Sequence, residues 1–92
     1  MRIVKEIPHP RFKITVYSWN NKYIIKVEDA HLEQVYKIEE AQVEGIADVE
    51  RIINTPFLLT CLERFGAMSR DFNEAWRHRH TPVTPPETHT PS

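Results

Sequence analysis

Residues 12–28 read FKITVYSWNNKYIIKVE. From Phe12 to Trp19 successive side chains alternate between two faces, the period of a half-buried strand. Phe12, Ile14, Val16 and Ser18 fall on one face, and Lys13, Thr15, Tyr17 and Trp19 on the other. Asn20-Asn21 follows, and asparagine tolerates the left-handed backbone that a two-residue hairpin turn demands. Residues 23–28 are then the return strand. The turn sets the register: Trp19 opposite Lys22, Val16 opposite Ile25, Ile14 opposite Val27. Lys13 meets Glu28, an opposite-charge pair that supports this alignment.

Working outward, residues 29–32 predict a looser four-residue turn. Residues 33–38 then form a third strand, with Ile25 facing Tyr36, Val27 facing Gln34 and Tyr23 facing Ile38. Upstream, residues 2–7 alternate only weakly and end at Pro8-His9-Pro10, which cannot continue a hydrogen-bonded ladder. They are expected as a fourth, edge strand, paired either in this sheet or with another chain.

The second half has helical periodicity. Residues 48–53 predict a short helix with Val49, Ile52 and Ile53 on its buried side. Thr55 is expected to cap a longer helix with Pro56 at its first position, running to about residue 77. Leu58, Cys61, Leu62, Phe65, Met68, Ser69, Phe72 and Trp76 form its amphipathic stripe. The expected architecture is α+β: a three- or four-stranded antiparallel meander with a short helix and one long C-terminal amphipathic helix packed on one face. The expected organisation is a single α+β domain over residues 1–80 and a disordered Thr/Pro-rich tail over 81–92, TPVTPPETHTPS.

The segments IPHPRFKITVYSWNNKYIIKVE, EQVYKI and FLLTCLERFGAMSRDF together resemble a small uncharacterised protein family of Bacteroidetes-type bacteria. The resemblance covers residues 1 to about 76. It implies no activity and no catalytic residues.

Composition excludes several function classes. The chain has 92 residues, 12 Lys+Arg against 13 Asp+Glu and a net charge of −1, which argues against DNA binding by bulk charge. A single cysteine forbids an internal disulfide framework and a multi-cysteine metal site. No apolar run approaches the length of a membrane span, and the first residues lack the apolar core of a signal peptide, so a cytoplasmic location is expected. There is no GxGxxG, P-loop, HExxH or GxSxG, and only two glycines are available for a phosphate loop. Cys61 lies on the apolar stripe and reads as a small buried hydrophobe. His78 and His80 point apart on a helix and make no metal site. The chain is therefore expected not to be an enzyme, and no cofactor or metal is implied.

One surface remains. On the outer sheet face the register gathers Lys13, Thr15, Tyr17 and Trp19, then Lys22, Ile24, Lys26 and Glu28, then Glu33, Val35 and Lys37. Lysines surround an aromatic and aliphatic centre. The plain reading is a solvated sheet face on which lysine stems cover the aromatics. The functional reading is a non-enzymatic protein-interaction module, an accessory subunit of a larger assembly or a small homo-oligomer. It would bind through Tyr17, Trp19, Lys22, Ile24, Lys26, Val35 and Lys37. The alternative is a single-stranded RNA or DNA binder using Lys13, Tyr17, Trp19, Lys22, Lys26 and Lys37, with bases stacked on the aromatics.

Overall fold

The computed structural model describes residues 1–80; the tail expected over 81–92 lies outside the described residues. Four antiparallel strands follow one another in space as they do in sequence: β1 (Arg2–Ile7), β2 (Lys13–Trp19), β3 (Lys22–Asp29) and β4 (Leu32–Glu39). Two helices follow, α1 (Ile46–Ile52) and α2 (Thr55–Arg77), after a single 3-10 turn at Glu40–Gln42. The α+β meander expected from the sequence is the observed fold.

The central hairpin has the register read from residues 12–28. Trp19 pairs with Lys22, Val16 with Ile25, Ile14 with Val27 and Lys13 with Glu28. Asn20 and Asn21 both take positive φ, 55° and 62°, which is what a two-residue turn between twisted strands requires. The next turn is tighter than expected. Asp29 already pairs with Leu32, so only Ala30 and His31 remain unpaired, with Ala30 at φ 56°. The register is unaffected, and Ile25 faces Tyr36 while Tyr23 faces Ile38.

The weak alternation of β1 has a structural cause. Ile3 pairs with Tyr17 but Lys5 with Val16, so one extra residue is accommodated around Val4 as a bulge. An unbroken strand would send Val4 and Ile7 to opposite faces. The bulge lets both pack against the core and turns Ile3 outward.

The core lies between the inner sheet face and the two helices. Phe12, Ile14, Val16, Ile25 and Val27 from the sheet meet Val49, Ile53, Cys61 and Phe65. Burying one such side chain contributes about 2 kcal/mol. Gly45, at φ 96°, supplies the backbone that starts α1, and Lys5 reaches Glu50 at 3.3 Å to tie β1 to that helix. His9 is structural: its Nδ1 accepts from the N–H groups of Arg11 and Phe12, and its ring stacks on Phe12 at 4.9 Å.

Three further expectations need correction. Asn54, not Thr55, caps α2, because its Oδ1 accepts from Phe57 N at 2.9 Å while its Nδ2 donates back to Arg51. Ile52 is exposed, since only Val49 and Ile53 of that segment turn inward. The apolar stripe of α2 is not buried along its length: Cys61 and Phe65 are sealed, but Phe72 and Trp76 remain 47% and 55% exposed. Phe72 touches His31 in the β3–β4 turn, so the helix has run to the end of the sheet there and its final turns project past it. Thr15 takes its expected place on the outer face but is buried there, and its hydroxyl has no partner among the described residues.

Candidate functional site

The outer sheet face carries no helix among the described residues, and its side chains stand on strands whose register is fixed. Tyr17 lies opposite Ile24, which lies opposite Lys37; Lys26 lies between Thr15 and Val35. These side chains enclose a depression of about 230 Å³ lined by Met1, Tyr17, Trp19, Ile24, Lys26, Glu33, Val35 and Lys37. Six of the seven residues expected to contact a protein partner therefore meet in one place: Tyr17, Trp19, Ile24, Lys26, Val35 and Lys37.

They do not play equal parts. Ile24 is only 6% exposed and forms the floor. Trp19 and Val35 are 51% and 44% exposed and form the walls that an incoming surface would touch. Lys22 falls outside, at the hairpin end, where it pairs with Glu39 at 3.5 Å. Lys13 also falls outside. It is four residues from Tyr17, about 13 Å along the strand, and it borders a separate concavity with Glu6 and Pro8.

The bulge in β1 contributes to this face. By restarting the pairing at Ile3 opposite Tyr17 and Arg2 opposite Ser18, it places exposed Ile3 on the outer side and brings Met1 to the depression. Sequence reasoning missed Met1. The only available signal was the irregular alternation of residues 2–7, which marks a bulge without saying where it falls.

The electrostatics are milder than four lysines suggest. Lys26 Nζ is 4.0 Å from Glu33 and lies 5.4 Å from the centroid of the Tyr17 ring. Lys22 is paired with Glu39. Among the described residues, Lys37 is the one lysine of the depression without an acidic partner. The chain matches no protein-family model, no curated protein and no solved structure.

Other chemistry has little support in the geometry. Cys61 is buried, its Sγ 3.9 Å from the Tyr36 hydroxyl, and burial pushes its thiol up from the ordinary 9.0, against smaller lowering effects of Tyr36 and Arg64. A thiol held protonated and sealed from solvent is a poor nucleophile. His78 contacts Glu74 at 2.8 Å, and among the described residues no three His, Cys, Asp or Glu side chains could together hold a metal ion. No described helix is long and apolar enough to cross a membrane.

Proposed function

We propose that this chain is a non-enzymatic interaction module of the cytoplasm that binds a protein partner through its outer sheet face. The observation that carries this reading is Trp19, half exposed on the wall of an apolar depression in which the charges of Lys26 and Glu33 are already paired. Exposed aromatics at the centre of a partly apolar patch are the usual anchors of protein interfaces. The depression is smaller than the pockets that enclose small ligands, roughly 300–1,000 Å³, and suits a protruding side chain better.

Single-stranded nucleic acid is the second reading, favoured by the aromatic pair Tyr17 and Trp19. Its difficulty is charge. Phosphate binding draws its free energy from counterion release, about 0.7 counterions per phosphate on single strands. With Lys22 and Lys26 held by glutamates and Lys13 at a distance, Lys37 is left as the main phosphate contact.

The experiment is tagged recovery from the native cells with and without nuclease, using the wild-type chain and Trp19→Ser. A stoichiometric protein that survives nuclease and is lost from the folded variant is the expected result. Equal recovery by both chains overturns the assignment of the face. Copurifying nucleic acid, with quenching of tryptophan fluorescence by oligonucleotides at low salt, replaces the first reading with the second.

A further inference from the structure

The two edges of the sheet are unlike. β1 is guarded by its bulge and by Pro8 and Pro10 just beyond it, devices that stop another strand from adding. β4 has none of these. Its pairing with β3 runs from Lys22–Glu39 to Asp29–Leu32 without a shift, and it contains no proline.

The register shows which backbone groups β4 offers. Asp29 and Leu32 flank a two-residue turn and are therefore a hydrogen-bonded pair, so the even-numbered residues of β4 bond to β3. Glu40 N donating to Asn21 O at 3.0 Å continues the same parity. Glu33, Val35 and Lys37 accordingly direct their N–H and C=O groups away from the sheet, where none meets a partner among the described residues.

We infer that the β4 edge is a self-pairing surface whose occupant is β4 of a second copy of this chain, antiparallel, with Val35 on the two-fold axis. In this alignment Val35 meets Val35 of the second copy, and Glu33 meets Lys37 of the second copy twice over. All are outward-bonding positions, so each pair exchanges both main-chain bonds. On the inner face the same alignment sets Leu32 against Ile38. Sliding by two residues one way sets Glu33 against Glu39, like charges directly opposite. Sliding the other way sets Glu33 against Val35 and leaves Lys37 beyond the end of the partner's strand. Only the Val35-centred register satisfies hydrogen-bond parity, charge and apolar contact together. The two outer faces would join across the axis with Val35 as their seam. The inference concerns the sheet edge and stands whether or not the outer face binds a further protein.

The test is the mass of the full chain in solution by light scattering and sedimentation over a concentration series, with Glu33→Lys and Lys37→Glu made separately. Wild type is expected to form a dimer. Each single reversal places like charges opposite each other in both symmetry-related pairs and is expected to raise the dissociation constant at least about tenfold. An equimolar mixture of the two variants restores both opposite-charge pairs and is expected to form a heterodimer. Val35→Pro removes an N–H that β3 does not use, so it is expected to abolish the dimer and leave the fold intact. Slowed exchange of the Glu33, Val35 and Lys37 amides in the dimer would place the contact at the edge. A wild-type chain that stays monomeric overturns the inference. So does a dimer that withstands the charge reversals and the proline, or one lost only in Trp19→Ser.

Discussion

Gln34 Nε2 donates to the main-chain carbonyl of Cys61 at 3.0 Å, and its Oε1 accepts from the Tyr36 hydroxyl at 2.7 Å. One buried amide thus joins β4 to the second turn of α2 and satisfies the neighbouring phenol. Gln34 lies on the inner face because its register partner, Val27, does. Its polarity is tolerated there because donor and acceptor are both used.

Replacing Gln34 with alanine removes both bonds and opens a gap under α2. The expected loss is about 2 kcal/mol of stability, read as a shift of the urea midpoint at unchanged m-value. A loss within experimental error would mean that α2 is held by Phe65 and Cys61 alone.

The same cluster predicts how stability responds to alkali. Burial pushes the Cys61 thiol above 9.0, and burial together with its contact to Cys61 pushes the Tyr36 phenol above 10.0. Both groups ionise at lower pH in the unfolded chain than in the folded one. Above about pH 9 the unfolded chain therefore binds fewer protons, and stability falls as pH rises. Below that range neither group contributes a slope. Cys61→Ala is expected to lower stability at neutral pH through lost packing but to flatten the decline just above pH 9, with Tyr36→Phe flattening the later part. Urea titrations at a series of pH values would show it, and parallel wild-type and Cys61→Ala slopes would contradict it.

Ala30 holds φ 56° in the β3–β4 turn, a region that costs a residue with a Cβ about 1 kcal/mol. Ala30→Gly removes that strain against an entropic loss of about 0.5–1 kcal/mol, so a net gain of no more than about 0.5 kcal/mol is expected. The thermal midpoint would rise by no more than about 2–4 °C. A lower midpoint would show that glycine's freedom in the unfolded chain outweighs the strain.

Much of this architecture is legible in one hairpin. The alternation of residues 12–28 and the Asn20-Asn21 turn fix the register, and the register alone assigns Tyr17, Trp19, Ile24, Lys26, Val35 and Lys37 to one outer face. What the sequence does not disclose is where regular repetition breaks. The extra residue at Val4 reverses the facing of the first half of β1, and no periodicity locates it. Burial on that face also escaped, because alternation distinguishes two sides of a sheet and not which of them is wet. Ile24 and Thr15 are covered by longer neighbours on adjacent strands. The helix stripe misled for a different reason. Spacing identifies a helix face, but the reach of the sheet decides how many turns of it are covered.

That last point can be measured. Phe65 sits 5.5 Å from the ring of Phe12 in the core, whereas Trp76 lies beside Phe72 beyond the sheet, with Arg79 over its ring at 4.2 Å. Phe65→Ala is expected to cost about 3–5 kcal/mol, and Trp76→Ala no more than about 0.5 kcal/mol. Comparable losses from both would mean that the end of α2 is covered by something more than the described residues provide.

Thr15 offers a test of the outer face itself. Thr15 is buried, and its Oγ1 makes no hydrogen bond among the described residues. An unpartnered buried hydroxyl costs about 1–3 kcal/mol relative to its solvated state. Thr15→Val keeps the branched shape and the preference for strand while removing that group. The variant is expected to be more stable by about 1 kcal/mol, with Trp19 fluorescence unchanged because the depression lies farther along β2. A less stable variant would show that water or a partner reaches the hydroxyl, and that the centre of this face is wetter than its packing implies.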